Sequence, residues 1–266
     1  MRIIRRAVLL SIATVVLACC GSPPAPASAP NRGGRLAEIA TRGELRVCST
    51  GDYRPFTYYE PGTSTWSGID VDMADDLARR LGVRRVMVQT SWKNLVQDFT
   101  ARCDIAVGGV SITLDRARSA FFSQAYLDDG KTPIVRCGEE ARFQTVAQVN
   151  RPEVRVVVNP GGTNEQFVRA TLAGATVLLH QDNNTVHQEI AAGRADLMIT
   201  DSAEAVWQAR QDARLCAVHP TQPFTYSQKA YLLPLGDTVF AHYVSQWLNL
   251  ARHDGTYERI TKPWLG

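Results

Sequence analysis

No stretch of this 266-residue chain is apolar for long enough to cross a bilayer as a helix. The longest such run covers residues 7–19, whereas a span needs about 20 residues. Charge of one sign is not in excess either. The sequence has 29 Lys and Arg against 26 Asp and Glu, and setting aside the three arginines of residues 1–29 leaves 26 bases and 26 acids. A neutral body gives no reason to expect a nucleic-acid partner. With 6 Cys, 19 Gly and 13 Pro, the composition excludes a disulfide-dense miniprotein, a collagenous chain and a disordered one. Motif spacings are missing too. The chain has no CxxC, HExxH, Walker or GxGxxG pattern, and Gly109-Val-Ser-Ile-Thr113 lacks the last glycine of a nucleophile elbow. No metal and no cofactor are expected. What remains is an ordinary globular composition, 45% hydrophobic, long enough for one large domain or two smaller ones.

Residues 1–6 are basic and 7–19 apolar, the pattern of a signal peptide. We expect residues 1–18 to be that signal and 19–34, rich in Pro, Ala and Ser, to be a flexible tether. Val16-Leu-Ala-Cys19 resembles the lipobox of bacterial lipoproteins, which implies a lipid anchor to the membrane on Cys19. Cleavage near Ala27 or Ala29 is the alternative. Either way the folded part is expected outside the cytoplasmic membrane, in an oxidising compartment. Cys137 and Cys216 are then the candidate disulfide, which would contribute about 4 kcal/mol in the chain-entropy model. Cys48 and Cys103, at different depths of predicted neighbouring strands, are expected to stay unpaired.

From residue 35 strands and helices alternate. Ile69, Met73, Leu77 and Leu81 recur at i+4, predicting a helix over 70–81 that Gly82 ends. Strands are predicted at 44–50, 85–90 and 104–108, with a helix at 92–100 and a short one at 36–41. A second series follows 131–137: strands at 154–159, 176–180 and 196–200, with helices at 163–172, 185–192 and 202–211. A strand at 228–233 and a helix at 238–251 close the chain. The pattern predicts two α/β lobes built on parallel sheets. Residues 35–134 and 231–266 would form the first and 135–230 the second, with ligands beyond the carboxyl ends of the strands.

The segments at those strand ends carry a resemblance. Gly51-Asp-Tyr-Arg-Pro-Phe56, Gly68-Ile-Asp-Val-Asp72, Ser111-Ile-Thr-Leu-Asp-Arg116 and Gly161-Gly-Thr-Asn-Glu165 occur in order. They resemble the polar-amino-acid-binding proteins of bacterial ABC transporters, which implies a two-lobed type II periplasmic-binding-protein fold with two crossing strands. A narrower similarity lies in Thr90-Ser-Trp-Lys-Asn-Leu95, Asp129-Gly-Lys-Thr-Pro133, Asn159-Pro-Gly-Gly-Thr163 and Lys229-Ala-Tyr-Leu-Leu-Pro234. These stretches, with others at 139–145 and 215–220, resemble the periplasmic cyclohexadienyl dehydratases. Those enzymes use the same fold to convert prephenate to phenylpyruvate or arogenate to phenylalanine.

The resemblance assigns expected roles. Arg116 would clamp a substrate carboxylate with two parallel hydrogen bonds, joined by Ser111 and the backbone N–H of Gly109. Asn159 and Thr163 flank a loop that opens a helix and so suits an anion, while Thr163–Gln166 also reads as a capping box. Glu165 reads as first-turn charge complementarity, with a secondary acid as its other role. Asp201-Ser-Ala-Glu204 fits helix capping on spacing alone. In the binding proteins the residue matching Asp201 holds an amino group, and in the dehydratases the residue matching Glu204 is the general acid. Glu204 is therefore the expected proton donor. Tyr53 and Trp92 would wall the ring, and Lys229 would meet a second carboxylate or else lie at the surface beside the hinge. The five histidines fit no catalytic pattern.

Expelling hydroxide is hard, and protonating it as it leaves contributes about 10²–10⁴-fold. That needs a Glu still protonated near neutral pH, with its pKa raised toward about 6–7. The alternative function is an extracytoplasmic receptor that captures a polar amino acid for an ABC permease and does no chemistry.

Overall fold

The computed structural model describes residues 34–266. The expected signal, tether and Cys19 anchor lie outside those residues, and no helix among them is long and apolar enough to span a membrane.

Two five-stranded sheets form the frame. In the first the order is Arg84–Gln89, Glu44–Ser49, Ile105–Ala106, Leu232–Pro234 and Ala120–Phe122. In the second it is Thr176–Leu179, Arg155–Val158, Leu197–Asp201, Lys131–Arg136 and Leu215–Ala217. Three strands of each sheet run parallel, but the remaining strands pair antiparallel. The sheets are thus mixed, where alternation alone predicted parallel ones. One strand in each sheet, Leu232–Pro234 in the first and Lys131–Arg136 in the second, is antiparallel to both its neighbours, and each follows directly on a crossing between lobes.

Each crossing changes an expected boundary. Strand Lys131–Arg136 lies wholly in the second sheet, so the chain enters the second lobe just after Asp129 rather than after residue 134. The strand predicted at 228–233 is two strands. Ser227–Lys229 pairs antiparallel with Leu127–Asp129, and Leu232–Pro234 joins the first sheet. Between them Ala230 donates its amide to Val110 O, which turns the chain from one partner to the next.

The helices follow the apolar periodicity. Ile69–Leu81 buries Ile69, Met73, Ala74, Leu77 and Ala78 against the first sheet, and Gly82 ends it in the left-handed conformation (φ 71°), returning its amide to Ala78 O and Arg79 O. Thr238–His253 buries Phe240, Val244, Trp247, Leu248 and Ala251 in the same core. A separate core of Val135, Val156, Val158, Val168, Leu197 and Ile199, among others, fills the second lobe. The chain ends in a helix not read from the sequence, Thr256–Leu265.

Both lobes carry a disulfide. Cys137–Cys216 ties the residue that follows strand Lys131–Arg136 to the neighbouring strand Leu215–Ala217 of the second sheet. Cys48 and Cys103, expected to be free, are also bonded. Cys103 is not on a strand. It caps the helix Leu95–Arg102, which carries it over the sheet face to a Cα–Cα distance of 5.7 Å from Cys48, within bridging range.

Candidate functional site

Tyr53, Trp92, Gly109, Ser111, Arg116, Asn159, Thr163 and Asp201, all singled out from the sequence, line one cavity, and Gly162, Asn164 and Asn183 complete its wall. It encloses no more than about 340 Å3 of free space, open solvent included. The first sheet supplies the loops carrying Tyr53, Trp92 and residues 109–116. The second supplies the strand-to-helix turns at 159–164 and 201, as the rule for open α/β sheets requires.

Asp201 is the electrostatic centre. It ends strand Leu197–Asp201 and occupies the cap of helix Ser202–Gln211, yet its side chain makes no capping bond. Oδ1 accepts from Lys131 Nζ at 2.8 Å, and Oδ2 accepts from Tyr53 Oη at 2.6 Å and from Lys229 Nζ. Burial alone would raise this carboxyl, but the two ammonium groups outweigh it and hold Asp201 far below the usual carboxylate range. Lys131 also donates to Thr163 Oγ1 at 3.0 Å and to Asn164 Oδ1, so all three of its hydrogens are engaged. Burial pulls its own pKa down, against the pull of Asp201.

Glu204 sits two hydrogen bonds behind the cavity wall. Asn164, on the wall, donates Nδ2 to Thr200 Oγ1 at 3.1 Å, and Thr200 Oγ1 donates to Glu204 Oε2. Only 2% of Glu204 is exposed. Burial pushes its carboxyl up to about 8, with Asp201 and Asp52 adding to the rise and the Thr200 hydrogen bond and Lys131 opposing it. At neutral pH it therefore keeps its proton. The helix N-terminus beneath it favours the ionised form, a lesser effect than burial.

Arg116 is the free cation of the cavity. Its guanidinium gives one hydrogen bond, from Nη1 to Ser111 O at 2.9 Å, and pairs with no carboxylate among the described residues. Burial lowers its pKa, offset by Asp201 and Asp115, yet a guanidinium stays charged at any working pH. Its remaining donors suit a carboxylate.

Several expected roles change. The Gly109 N–H does not face the cavity as a free donor: it goes to Asp70 Oδ2 at 2.7 Å. Asp70 opens helix Ile69–Leu81 fully buried and also draws Gly108 N, Tyr126 Oη and Tyr231 Oη, since a buried carboxylate needs every donor in reach. Gly109 itself (φ 63°) is required by crowding, because a Cβ there would lie 2.5 Å from the Phe56 ring. Lys229 is fully buried behind Asp201, bonded to it and to Ser111 Oγ at 3.0 Å, and is neither at the surface nor on the cavity wall. The Thr163–Gln166 capping box is absent, since the cap is Gly162 and makes no side-chain bond. Glu165 instead accepts from Gly161 N at 2.7 Å and pairs with Arg169. That Gly161 bond and Arg169 outweigh burial and lower its pKa, which works against a secondary-acid role.

Three members of the network had no role in the sequence reading: Lys131, Asn164 and Thr200. Lys131 lies in a stretch of the narrower resemblance and Asn164 in the Gly161–Glu165 motif, while Thr200 directly precedes Asp201-Ser-Ala-Glu204. The signal for Lys131 and Thr200 was a polar residue beside the apolar ones of two strands, Lys131–Arg136 and Leu197–Asp201, and Asn164 on its helix had none. Among the described residues, the one His/Cys/Asp/Glu group close enough to share a metal ion is Cys137, Glu140 and Cys216, and its two sulfurs are bonded to each other.

Residues 45–266 match the family described as bacterial extracellular solute-binding proteins, family 3. The chain is 52% identical to a cyclohexadienyl dehydratase from Pseudomonas aeruginosa, over 91% of this chain and 90% of that one. It is 26% identical to an L-cystine-binding protein of Escherichia coli, over 88% and 86%. Among solved structures it resembles an ancestral amino acid-binding protein described as a precursor of cyclohexadienyl dehydratase (TM-score 0.80, 31% identity, 87% of this chain and 99% of that one). An ancestral cyclohexadienyl dehydratase is 46% identical, with a TM-score of 0.55 over 87% of this chain and 96% of that one.

Proposed function

The chain belongs to the bacterial extracellular solute-binding proteins, family 3, and we propose that within this family it is a lyase that converts prephenate to phenylpyruvate, arogenate to phenylalanine, or both. The observation that carries this reading is Glu204, a buried carboxyl pushed up to about 8 and linked through Thr200 and Asn164 to a cavity that also holds the unpaired Arg116. Similarity to the Pseudomonas dehydratase supports it.

The substrate brings its own driving force. Loss of CO2 from one ring carbon and of hydroxide from the opposite one leaves an aromatic ring. What the protein must supply is an acid for the departing oxygen, and Glu204 is the acid at hand, holding its proton through burial and the nearby Asp201 charge. Arg116 takes a carboxylate and fixes the substrate end to end. Trp92 and Tyr53, packed edge to face at 5.4 Å, wall the ring and exclude water. Asp201, on the cavity wall, serves by holding Lys131 and Lys229.

That last point disfavours an amino-acid receptor. A receptor would use Asp201 to take a ligand ammonium, whereas three of its roughly four acceptor sites already accept from Lys131, Lys229 and Tyr53. A lipid anchor on Cys19 belongs to the same reading and rests on Val16-Leu-Ala-Cys19 alone. An ABC permease would be a partner only for a receptor.

Incubating the purified protein with each substrate tests the proposal. We expect phenylpyruvate or phenylalanine at turnover within the enzymatic range of about 1–10³ per second. Tight calorimetric binding of arginine, glutamine or lysine, with neither product formed, would reverse the assignment.

A further inference from the structure

The polar chain behind the cavity has a direction, and the direction has a consequence for the acid. An ammonium only donates, so Lys131 Nζ must face the carbonyl oxygen of the Asn164 amide, as it does. That choice turns the Asn164 NH2 toward Thr200, where Nδ2 donates to Oγ1 at 3.1 Å. Having accepted there, the Thr200 hydroxyl directs its hydrogen at the other oxygen in contact, Glu204 Oε2. A second hydrogen does not fit between the same two oxygens, so a neutral Glu204 carries its own on Oε1.

We propose that Thr200 is a positioning residue for the reaction: the relay from Lys131 through Asn164 and Thr200 makes Oε2 of Glu204 an acceptor and leaves Oε1 as the atom that delivers the proton. Backbone register builds the relay. Strand Leu197–Asp201 pairs antiparallel with Lys131–Arg136, Asp201 opposite Lys131 and Thr200 opposite Thr132. Lys131 cannot turn away, because its other hydrogens are on Thr163 and Asp201. Thr200 is fully buried, so no water replaces its hydroxyl. It touches neither cavity nor substrate and acts through Glu204.

This inference rests on the general-acid reading of Glu204 and can fail separately from it. The titratable groups facing Glu204 are Asp201 at the head of its own helix, Lys131 from the adjacent strand, and Asp52 and Tyr53 from the first lobe. None changes in Thr200→Val, which keeps the shape and removes the hydroxyl. The hydrogen bond from Thr200 favours the ionised carboxyl, so its loss raises the pKa of Glu204. The high-pH limb of kcat/KM therefore moves to higher pH in the variant. With the acid hydrogen free to sit on either oxygen, kcat falls about tenfold, the worth of one buried hydrogen bond, while KM stays within about twofold. Thr200→Ser restores most of kcat and the original limb. The infrared carbonyl band of protonated Glu204, assigned by its loss in Glu204→Gln, moves to higher frequency in Thr200→Val and not in Thr200→Ser.

A Thr200→Val enzyme with unchanged kcat, limb and carbonyl band overturns the relay while Glu204→Gln remains inactive. Equal damage in Thr200→Ser and Thr200→Val overturns it also, since packing rather than the hydroxyl would then matter. Thr200→Ala, which crowds nothing, repeats the test if the valine variant does not fold. Full activity in Glu204→Gln would instead remove the general-acid reading itself.

Discussion

Two carboxyl groups three residues apart on one helix turn, Asp201 and Glu204, end up at opposite extremes of acidity. Both are almost fully buried. Asp201 meets two ammonium groups and a phenol and stays ionised, whereas Glu204 meets a hydroxyl and another carboxylate and stays protonated. Spacing alone suggests helix capping for both, and neither caps the helix by its side chain. The family resemblance carried Glu204 where periodicity could not. Arg116 stands in a specific motif, and among the described residues no carboxylate pairs with it. Its replacement by alanine is expected to raise KM about 10–100-fold, the worth of charge-assisted hydrogen bonds to a carboxylate, with a smaller change in kcat. Steady-state kinetics check this, and an unchanged KM would leave Arg116 without a role. Lys131, Asn164 and Thr200 were illegible for a physical reason. Their function lies in whom they touch, and those contacts join residues 131, 163–164 and 200–204 across the sequence.

Helices were read from the sequence more faithfully than crossings. The i, i+4 stripe of Ile69–Leu81 and the apolar face of Thr238–His253 are local properties, and both helices lie within two residues of expectation. The strand expected at 228–233 is two strands because an unbroken extended segment, Gln228 to Leu233, says nothing in its sequence about a change of partner. The same limit explains the second disulfide. Pairing Cys48 with Cys103 depends on how the helix Leu95–Arg102 returns over the sheet, a tertiary fact. Each bridge closes its loop within one lobe, with separations of 55 and 79 residues. Replacing either pair by serines is expected to cost about 2–5 kcal/mol in urea denaturation. If both replacements left the unfolding midpoint in place, the bridges would have no part in stability.

At the scale of the whole molecule, the lysines that set the site's charge flank the connection between lobes. Lys229 is on a crossing strand, and Lys131 follows the other crossing strand by two residues. Both meet Asp201 of the second lobe, and Tyr53 of the first lobe reaches the same carboxylate. The arrangement joins the two lobes around a buried charge cluster and shuts Glu204 away from water. Burial of the acid is thus a property of the closed molecule rather than of the helix that bears it. A bound dicarboxylate would raise the Glu204 pKa further, because it repels the ionised form.

The central claim is that Glu204 works in its protonated form. An acid must hold its proton to donate it, and that proton is lost as pH rises through the group's pKa, so activity must fall at high pH and not at low pH. The most direct measurement is prephenate turnover against pH for the wild-type protein and for Glu204→Gln. The account predicts a wild-type kcat/KM that is level below a limb near 8 and falls tenfold per pH unit above it. It also predicts a glutamine variant at least about 10²-fold slower in kcat with little change in KM. A wild-type rate that climbs through that range, or a glutamine variant as fast as the wild type, would contradict it.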